Sequence, residues 1–409
     1  MTGPLSHIRV LDMSRILAGP WAAQTLADLG AEVIKVERPG TGDDTRAWGP
    51  PFIRDRNDNE TKESAYFLST NRGKKSIALD ISKPEGQEIL RNLAVKSDVL
   101  IENYKVGGLE AYGLGYEDLK KINPRLVYCS ITGFGQTGPF SNRAGYDFLI
   151  QAMGGLMSVT GEPDGKPGGG PQKVGVALTD ILTGLYTNIA ALSALHRREQ
   201  TGEGCHIDMA LLDVTTATMA NQALNFLVTG ESPTRMGNAH PNIVPYEAFE
   251  ASDMYLIVAV GNDRQFAKYV EVAGKPELSD DERFSTNSAR VKNRATLIPI
   301  IKKFMKQKTG QEWIDDLEKA GVPCGPLNNM AQVFDHPQVR ARGMQIELDH
   351  PLADTVPQVA SPIKIVGEEL VYQGSPPTLG QHSNYILKDL LGMSQEKITE
   401  LEKRKIINS

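Results

Sequence analysis

Residues Ile8–Glu37 read IRVLDMSRILAGPWAAQTLADLGAEVIKVE, and their reading decides the fold. Ile8–Met13 is a short apolar run of strand length. Gly19-Pro20 then opens a helical stretch, WAAQTLADLG, and Ala31–Glu37 (AEVIKVE) is a second strand. Strand, helix and strand in close succession make a β-α-β unit, which demands parallel strands and a right-handed crossover. The alternation continues outward. Ser76–Asp80 reads as a strand, Pro84–Val95 as a helix, Asp98–Glu102 as a strand, Tyr116–Ile122 as a helix and Leu126–Ile131 as a buried strand. The first half is therefore an α/β layer with helices on both faces of an open sheet.

Further along, Gly161–Gly175 is rich in glycine and proline and reads as a permissive loop. A long helix is expected from about Ile181 to Glu199, with Leu185, Ile189, Leu192 and Leu195 on one apolar stripe. Cys205–Ala210 reads as a strand and Leu211–Val228 as a helix. Composition changes near Gly230, where residues 231–245 are rich in Pro, Asn and Gly. Beyond them, Tyr246–Glu250 and Met254–Val260 suit a hairpin across Ala251-Ser252-Asp253. Three helical patterns follow between Arg264 and Ala320. The tail holds strand-like MQIEL and IKIVG and then helices. The expected division is a large domain over 1–229, a small α+β domain with linkers over 230–330, and a return to the large domain over 331–409.

The composition narrows the function. A length of 409 residues allows two or three domains at about 150 residues each. Lys and Arg number 44 against 50 Asp and Glu, a net charge of −6, so general nucleic-acid binding is disfavoured. No run of about 18 uncharged apolar residues suggests a membrane span, and the start, MTGPLSHIRVLDMS, does not read as a secretory signal. Cys129, Cys205 and Cys324 are odd in number and far apart, which points to a reducing, cytoplasmic location. No Cys-x-x-Cys or His-Glu-x-x-His is present, so no metal site is expected.

The motifs of commoner α/β chemistries are missing. The first β-α turn lacks G-x-G-x-x-G, Gly165-Lys166 is followed by Pro167 rather than Ser or Thr, and no G-x-S-x-G occurs. One carboxylate stands out: Asp180, where the Gly-rich loop meets the long helix. Its plain reading is a helix cap. A positioned, ionised carboxylate is also a nucleophile toward an acyl group, and the two readings are compatible. Basic residues such as Arg38 and Lys105 follow strands, where α/β sheets bind nucleotides. Asn103-Tyr104 closes an apolar strand, and His240 lies in the GNAHPN linker.

At this point LDMSRILAGPWAAQTLADLGAEVIKVERPGTGDDTR, NRGKKSIALDISKPEG, DVLIENY, YCSITGFGQTGP, AGYDF and GVALTDILTGLY together resemble the class III CoA-transferases. This is the formyl-CoA transferase and carnitine CoA-transferase superfamily. ERPGTGDDTRAWGPPF and NAHPNIVPYEAF are closest to its succinyl-CoA:glutarate branch. The resemblance runs essentially end to end. It implies a Rossmann-like large domain built from both chain ends, an inserted small domain, and an interlocked homodimer.

The resemblance also implies that Asp180 attacks an acyl-CoA thioester, passing through an aspartyl-acyl anhydride and an aspartyl-CoA thioester with no prosthetic group. It places CoA against Leu17, Ala18, Arg38, Leu79, Asp80, Ile81, Ser82, Asn103, Tyr104 and Lys105, with Arg143 supplying a charge that Ala111 lacks. Tyr146, in AGYDF, stands where the related α-methylacyl-CoA racemases place a His, and tyrosine is a poor base near neutrality. Transfer is thus favoured over racemisation. Gly237-Asn238-Ala239-His240 departs from the glycine run of the formyl-CoA branch, which speaks against oxalate. Arg46, Arg143 and His240 are the candidates to hold a substrate's second carboxylate. A catalytically silent CoA-binding subunit is the alternative outside enzymes.

Overall fold

The central strands Arg9–Asp12, Val99–Glu102 and Val127–Thr132 are buried on both faces, which suits a parallel sheet. In the computed structural model, which describes residues 3–408, seven strands form one sheet. From edge to edge they are Ile407–Asn408, Lys74–Leu79, Glu32–Glu37, Arg9–Asp12, Val99–Glu102, Val127–Thr132 and Cys205–Ala210. All pairs are parallel except the first, where Ile407 faces Leu79 in antiparallel register. Neighbouring side chains alternate between faces. Leu11, Ile34, Ile77 and Leu100 pack with Leu90, Leu93, Ile398 and Leu401 on one face. Val10, Val33, Val99 and Val127 pack with Ala22, Leu26, Ala191 and Leu195 on the other.

The strand order places the site. From Arg9–Asp12 the chain first builds outward through Glu32–Glu37 and Lys74–Leu79, then returns to continue on the other side with Val99–Glu102. The crossovers on the two sides leave a crevice at the carboxyl ends of Arg9–Asp12 and Val99–Glu102, the usual ligand position in such sheets. Asn103 bridges that crevice, its side chain accepting from the Arg15 N–H at 2.9 Å and donating to the Arg15 carbonyl at 2.7 Å.

The long helix runs over Leu178–Thr201 and stops at Gly202, whose φ of 75° is left-handed and costs little without a Cβ. It lies against helix Ala18–Asp28, and the contact is close because small residues line it. A Cβ on Gly184 would sit 2.6 Å from the Ala18 carbonyl oxygen. The expected apolar stripe is not the buried one. Leu185, Ile189 and Leu192 are exposed, and Thr183, Gly184, Thr187, Asn188 and Ala191 face inward with Leu195. The reason is that helix-on-helix distance here is set by backbone approach, which favours small side chains at the contact. By length and composition alone this helix would suffice to cross a membrane. Here its inward face rests on the protein core, and its Arg198 pairs with Asp98 at 2.9 Å.

The chain groups into two compact units. One takes the segment ending at Leu156, Val174–Ala223 and the chain from Gln338 onward; the other takes Met157–Lys173 and Leu224–Pro337. Part of the Gly-rich loop, read with the large domain, thus groups with the second unit. In that unit Tyr246–Glu250 and Tyr255–Ala259 pair antiparallel, as the hairpin reading expects, and Cys324–Pro326 adds a third strand. Phe249, Leu256, Phe266, Phe304 and Trp313 form its core. Five helices, not three, lie between Asp263 and Ala320. Leu211–Val228 is two helices, Leu211–Thr218 and Ala220–Thr229, divided at Ala220 with a φ of 45°. IKIVG is not a strand, since Gln345–Asp349 pairs instead with Thr355–Val359. Pro357 hides that strand from a sequence reading, yet a two-stranded ribbon tolerates a proline because each strand is an edge.

Candidate active site

The crevice opens into a cleft of about 500 Å³ within the first unit. Its rim is made by the loops that follow the strands. Leu17 and Ala18 come from the first, Arg38 from the second, Leu79 to Ser82 from the third and Asn103 to Lys105 from the fourth. Arg143 and Tyr146 line it from the segment after Val127–Thr132, and Asp180 lines the same cleft. The Asp80 carboxylate accepts from the Ser82 N–H at 2.9 Å and its hydroxyl at 2.6 Å, which fixes that turn. Arg143 stacks over Phe140, 4.7 Å from the ring centroid. Exposed Arg38, Lys105 and Arg143 enter no ion pair among the described residues, so three cations at the rim are uncommitted.

Below the rim the polar groups are committed. Lys35 is buried, pairs with Asp43 at 2.9 Å and donates to the Ser14 carbonyl at 3.0 Å. Burial works against charge on Asp43, but Lys35 and the Thr45 N–H and hydroxyl outweigh it and bring its pKa down to about 2. The same Asp43 carboxylate accepts from the Ile16 N–H at 3.3 Å. Ile16 has a φ of 74°, a costly conformation for a β-branched residue and one that its surroundings must enforce. A buried ion pair therefore grips both ends of the turn that presents Ile16, Leu17 and Ala18 to the cleft.

Asp180 sits in the first turn of the Leu178–Thr201 helix but does not cap it. The cap position is Ala177, which has no side chain able to do so. Instead Asp147 accepts from the Thr179 N–H at 2.9 Å and from the Asp180 N–H at 3.3 Å. The Asp180 side chain remains free for chemistry. Burial, with a smaller contribution from the Asp147 charge, raises its pKa to about 7. A carboxylate made more basic in this way is a stronger nucleophile when ionised.

A model of CoA-transferase family III matches residues 5–383. The chain belongs to CoA-transferase family III. It is 49% identical over 387 residues to an Agrobacterium fabrum protein called succinate–glutarate CoA-transferase, covering 95% of this chain and 96% of that one. A human succinyl-CoA:glutarate CoA-transferase is 45% identical over 398 residues, with 97% and 88% covered. Among solved structures, a CAIB/BAIF family protein from Brucella suis superposes with a TM-score of 0.83 at 52% identity, covering 95% of this chain and 100% of that one.

For a family III transferase, the placement of the residues singled out from sequence is informative. Every residue expected at the CoA site lines the one cleft that holds Asp180. Arg46 does not, and its expected substrate role is corrected. Its guanidinium is buried, donating to Glu37 at 2.7 and 2.8 Å, to Glu63 at 2.6 Å and to the Pro377 carbonyl at 3.0 Å. With Phe67 stacked on it at 3.7 Å and four of its five N–H donors bonded, the side chain is buried away from the cleft. A sequence cannot tell a buried arginine from a free one when its partners lie far along the chain. His240 is on the second unit, where its Nδ1 accepts from the Asn242 N–H at 3.1 Å and its ring leans on Tyr246. Sequence reasoning passed over Lys35, Asp43, Asp147 and Tyr66. The Tyr66 hydroxyl is pushed up to about 12 by burial and by the charges of Asp180, Asp147 and Asp43, which places it in the field of the nucleophile. Asp147 carried a signal, since it adjoins Tyr146 in the quoted AGYDF.

Proposed function

We propose that this chain moves coenzyme A from succinyl-CoA to glutarate or a similar small dicarboxylate, with Asp180 as nucleophile. The observation that carries the reading is a basic, uncapping, uncommitted carboxylate in a cleft that is also lined by three cations outside any ion pair among the described residues. The names of the relatives support the substrates. An Asp180 oxygen attacks the succinyl thioester carbon. The C–S bond breaks, giving an aspartyl-succinyl anhydride and CoA thiolate. The thiolate attacks the aspartyl carbonyl, releasing succinate and leaving aspartyl-CoA. An acceptor carboxylate then displaces the thiolate, and the thiolate's return to the acceptor carbonyl yields the new acyl-CoA and regenerates Asp180. The energy of the thioester stays in covalent bonds, so the steps balance without ATP. Arg38, Lys105 and Arg143 are suited to the CoA phosphates. Leu17, Ala18, Leu79, Asp80, Ile81, Ser82, Asn103, Tyr104 and Tyr146 would line the rest of its path. Arg143 and His240 are the remaining acceptor-side candidates.

The proposal includes an interlocked homodimer, with the second unit as the inserted domain, acting in the cytoplasm. Support for a second copy comes from the exposed apolar face of Leu185, Ile189 and Leu192. Sedimentation would test it, a monomer at micromolar concentration counting against it. The function itself is tested by mass spectrometry after incubation with succinyl-CoA. A CoA adduct on Asp180, and glutaryl-CoA once glutarate is added, is expected. Bound succinyl-CoA with Asp180 unmodified would overturn the mechanism, and deuterium exchange at the α-carbon would point to racemisation instead.

A further inference from the structure

The helix that carries Asp180 begins without a cap of its own, and its first N–H groups need acceptors. They find one from a different element. Asp147, the first residue of helix Asp147–Met153, turns one carboxylate oxygen toward both the Thr179 and Asp180 N–H groups, at 2.9 and 3.3 Å. Its other oxygen accepts from the Gln151 amide at 2.7 Å. Gln151 is fully buried, and its own oxygen accepts from the Val174 N–H at 2.9 Å, which ties down the segment entering the helix. We infer that Asp147 and Gln151 form a brace that fixes the backbone of the nucleophile and holds a second carboxylate beside it.

This rests on the proposed role of Asp180 and extends it to a positioning pair. Two consequences follow from the geometry. The brace takes up the helix-start N–H groups that would otherwise favour the Asp180 anion. It also sets a like charge near the nucleophile, which favours the protonated form. The groups facing Asp180 are then Asp147 on helix Asp147–Met153 and Tyr66 on helix Ala65–Leu68, whose hydroxyl feels Asp180, Asp147 and Asp43 together. A carboxylate held this way attacks less often at low pH, and it is more reactive each time it does.

The experiment compares Asp147→Asn, Asp147→Ala and Gln151→Ala with the parent enzyme in pH profiles of kcat and of kcat/KM for succinyl-CoA. Asparagine keeps an oxygen for the two N–H groups and removes the charge, giving up only the Gln151 bond because its NH2 then faces the Gln151 NH2. Its acid limb is expected to move to lower pH, each pH unit of displacement being about tenfold in the ionised fraction below the limb. Alanine removes charge and acceptor together. It is expected to show the same displacement with a plateau kcat at least about tenfold below that of the asparagine variant, at the cost of a lost positioning contact. Gln151→Ala keeps the charge, so its limb stays in place while kcat falls. An Asp147→Asn limb that superposes on the parent, or equal plateaus for asparagine and alanine, would overturn the brace. Should Asp147 variants not fold, Gln151→Ala decides alone, through unchanged kcat. A parent enzyme that forms no CoA adduct on Asp180 would refute the function instead, and is recognised separately.

Discussion

Replacing Asp180 with Asn should abolish transfer and, in the same molecule, raise stability in a way that grows with pH. The carboxyl has an ordinary value of 3.8 and is raised to about 7 in the folded chain, by burial first and by Asp147 second. Its protonated form is therefore the one the fold prefers. Below the unfolded value the group is neutral in both states and costs nothing. As pH rises through the window from 3.8 to about 7, the unfolded chain ionises first, and the folded state loses stability. Above about 7 both are ionised and the penalty is complete. At about 1.4 kcal/mol for each pH unit separating the two values, the penalty reaches about 4 kcal/mol at pH 8 and under about 2 kcal/mol at pH 5. Asp180 is partly open to the cleft, and water there lowers the pH 8 figure to about 2 kcal/mol. Asparagine has nearly the same shape and no charge, so it removes the penalty. Urea denaturation at fixed protein concentration, at pH 5, 6, 7 and 8, reads the difference between Asp180→Asn and the parent. The difference should widen from pH 5 to about 7 and then level off towards pH 8. A constant difference, or an Asp180→Asn variant less stable than the parent at pH 8, would refute the assignment of a strained, raised carboxyl.

Three further outcomes follow from the geometry. Gly184→Ala forces a Cβ to within 2.6 Å of the Ala18 carbonyl oxygen, and overpacking of this kind should cost about 1–3 kcal/mol by thermal unfolding. It should also disturb kcat, because the displaced helix carries Asp180. Arg46→Ala leaves Glu37 and Glu63 buried without their cation and should cost about 3–5 kcal/mol, with no selective rise in the KM of the acceptor acid. An acceptor-specific KM effect in a folded protein would restore Arg46 to the substrate site. Single alanine replacements of Arg38, Lys105 and Arg143 should each raise the KM for succinyl-CoA by about five- to thirtyfold, with the effect shrinking at high salt. Insensitivity to salt would remove phosphate contact as the cause.

Much of the architecture was legible from local pattern. Pro84–Val95 and Tyr116–Ile122 take the predicted bounds because each has its own start signal, a proline or a glycine, ahead of an apolar face. Val99–Glu102 and Val127–Thr132 are legible because burial on both faces leaves a largely apolar run. Helix Leu178–Thr201 misleads at the same level, since its larger apolar side chains face outward and its small ones inward. The five helices between Asp263 and Ala320 are short, and turns between them left no break in periodicity large enough to count.

The site divides along the same line. The sequence by itself determined the β-α-β order, the loops that must meet at the carboxyl ends of the strands, and Asp180 as the carboxylate to examine. These are properties of residues near one another in the chain, where turn chemistry and periodicity act. Only the tertiary structure decided which charges are spent and which are free. Arg46 is consumed by Glu37, Glu63 and the Pro377 carbonyl, whereas Arg38 remains open. Lys35 and Asp43 enforce the Ile16 turn, and Asp147 rather than Asp180 caps the long helix. The physical reason is that burial and pairing set whether an ionisable group binds, catalyses or merely holds the fold. The partners that set them come from residues far apart in the sequence and adjacent only in space.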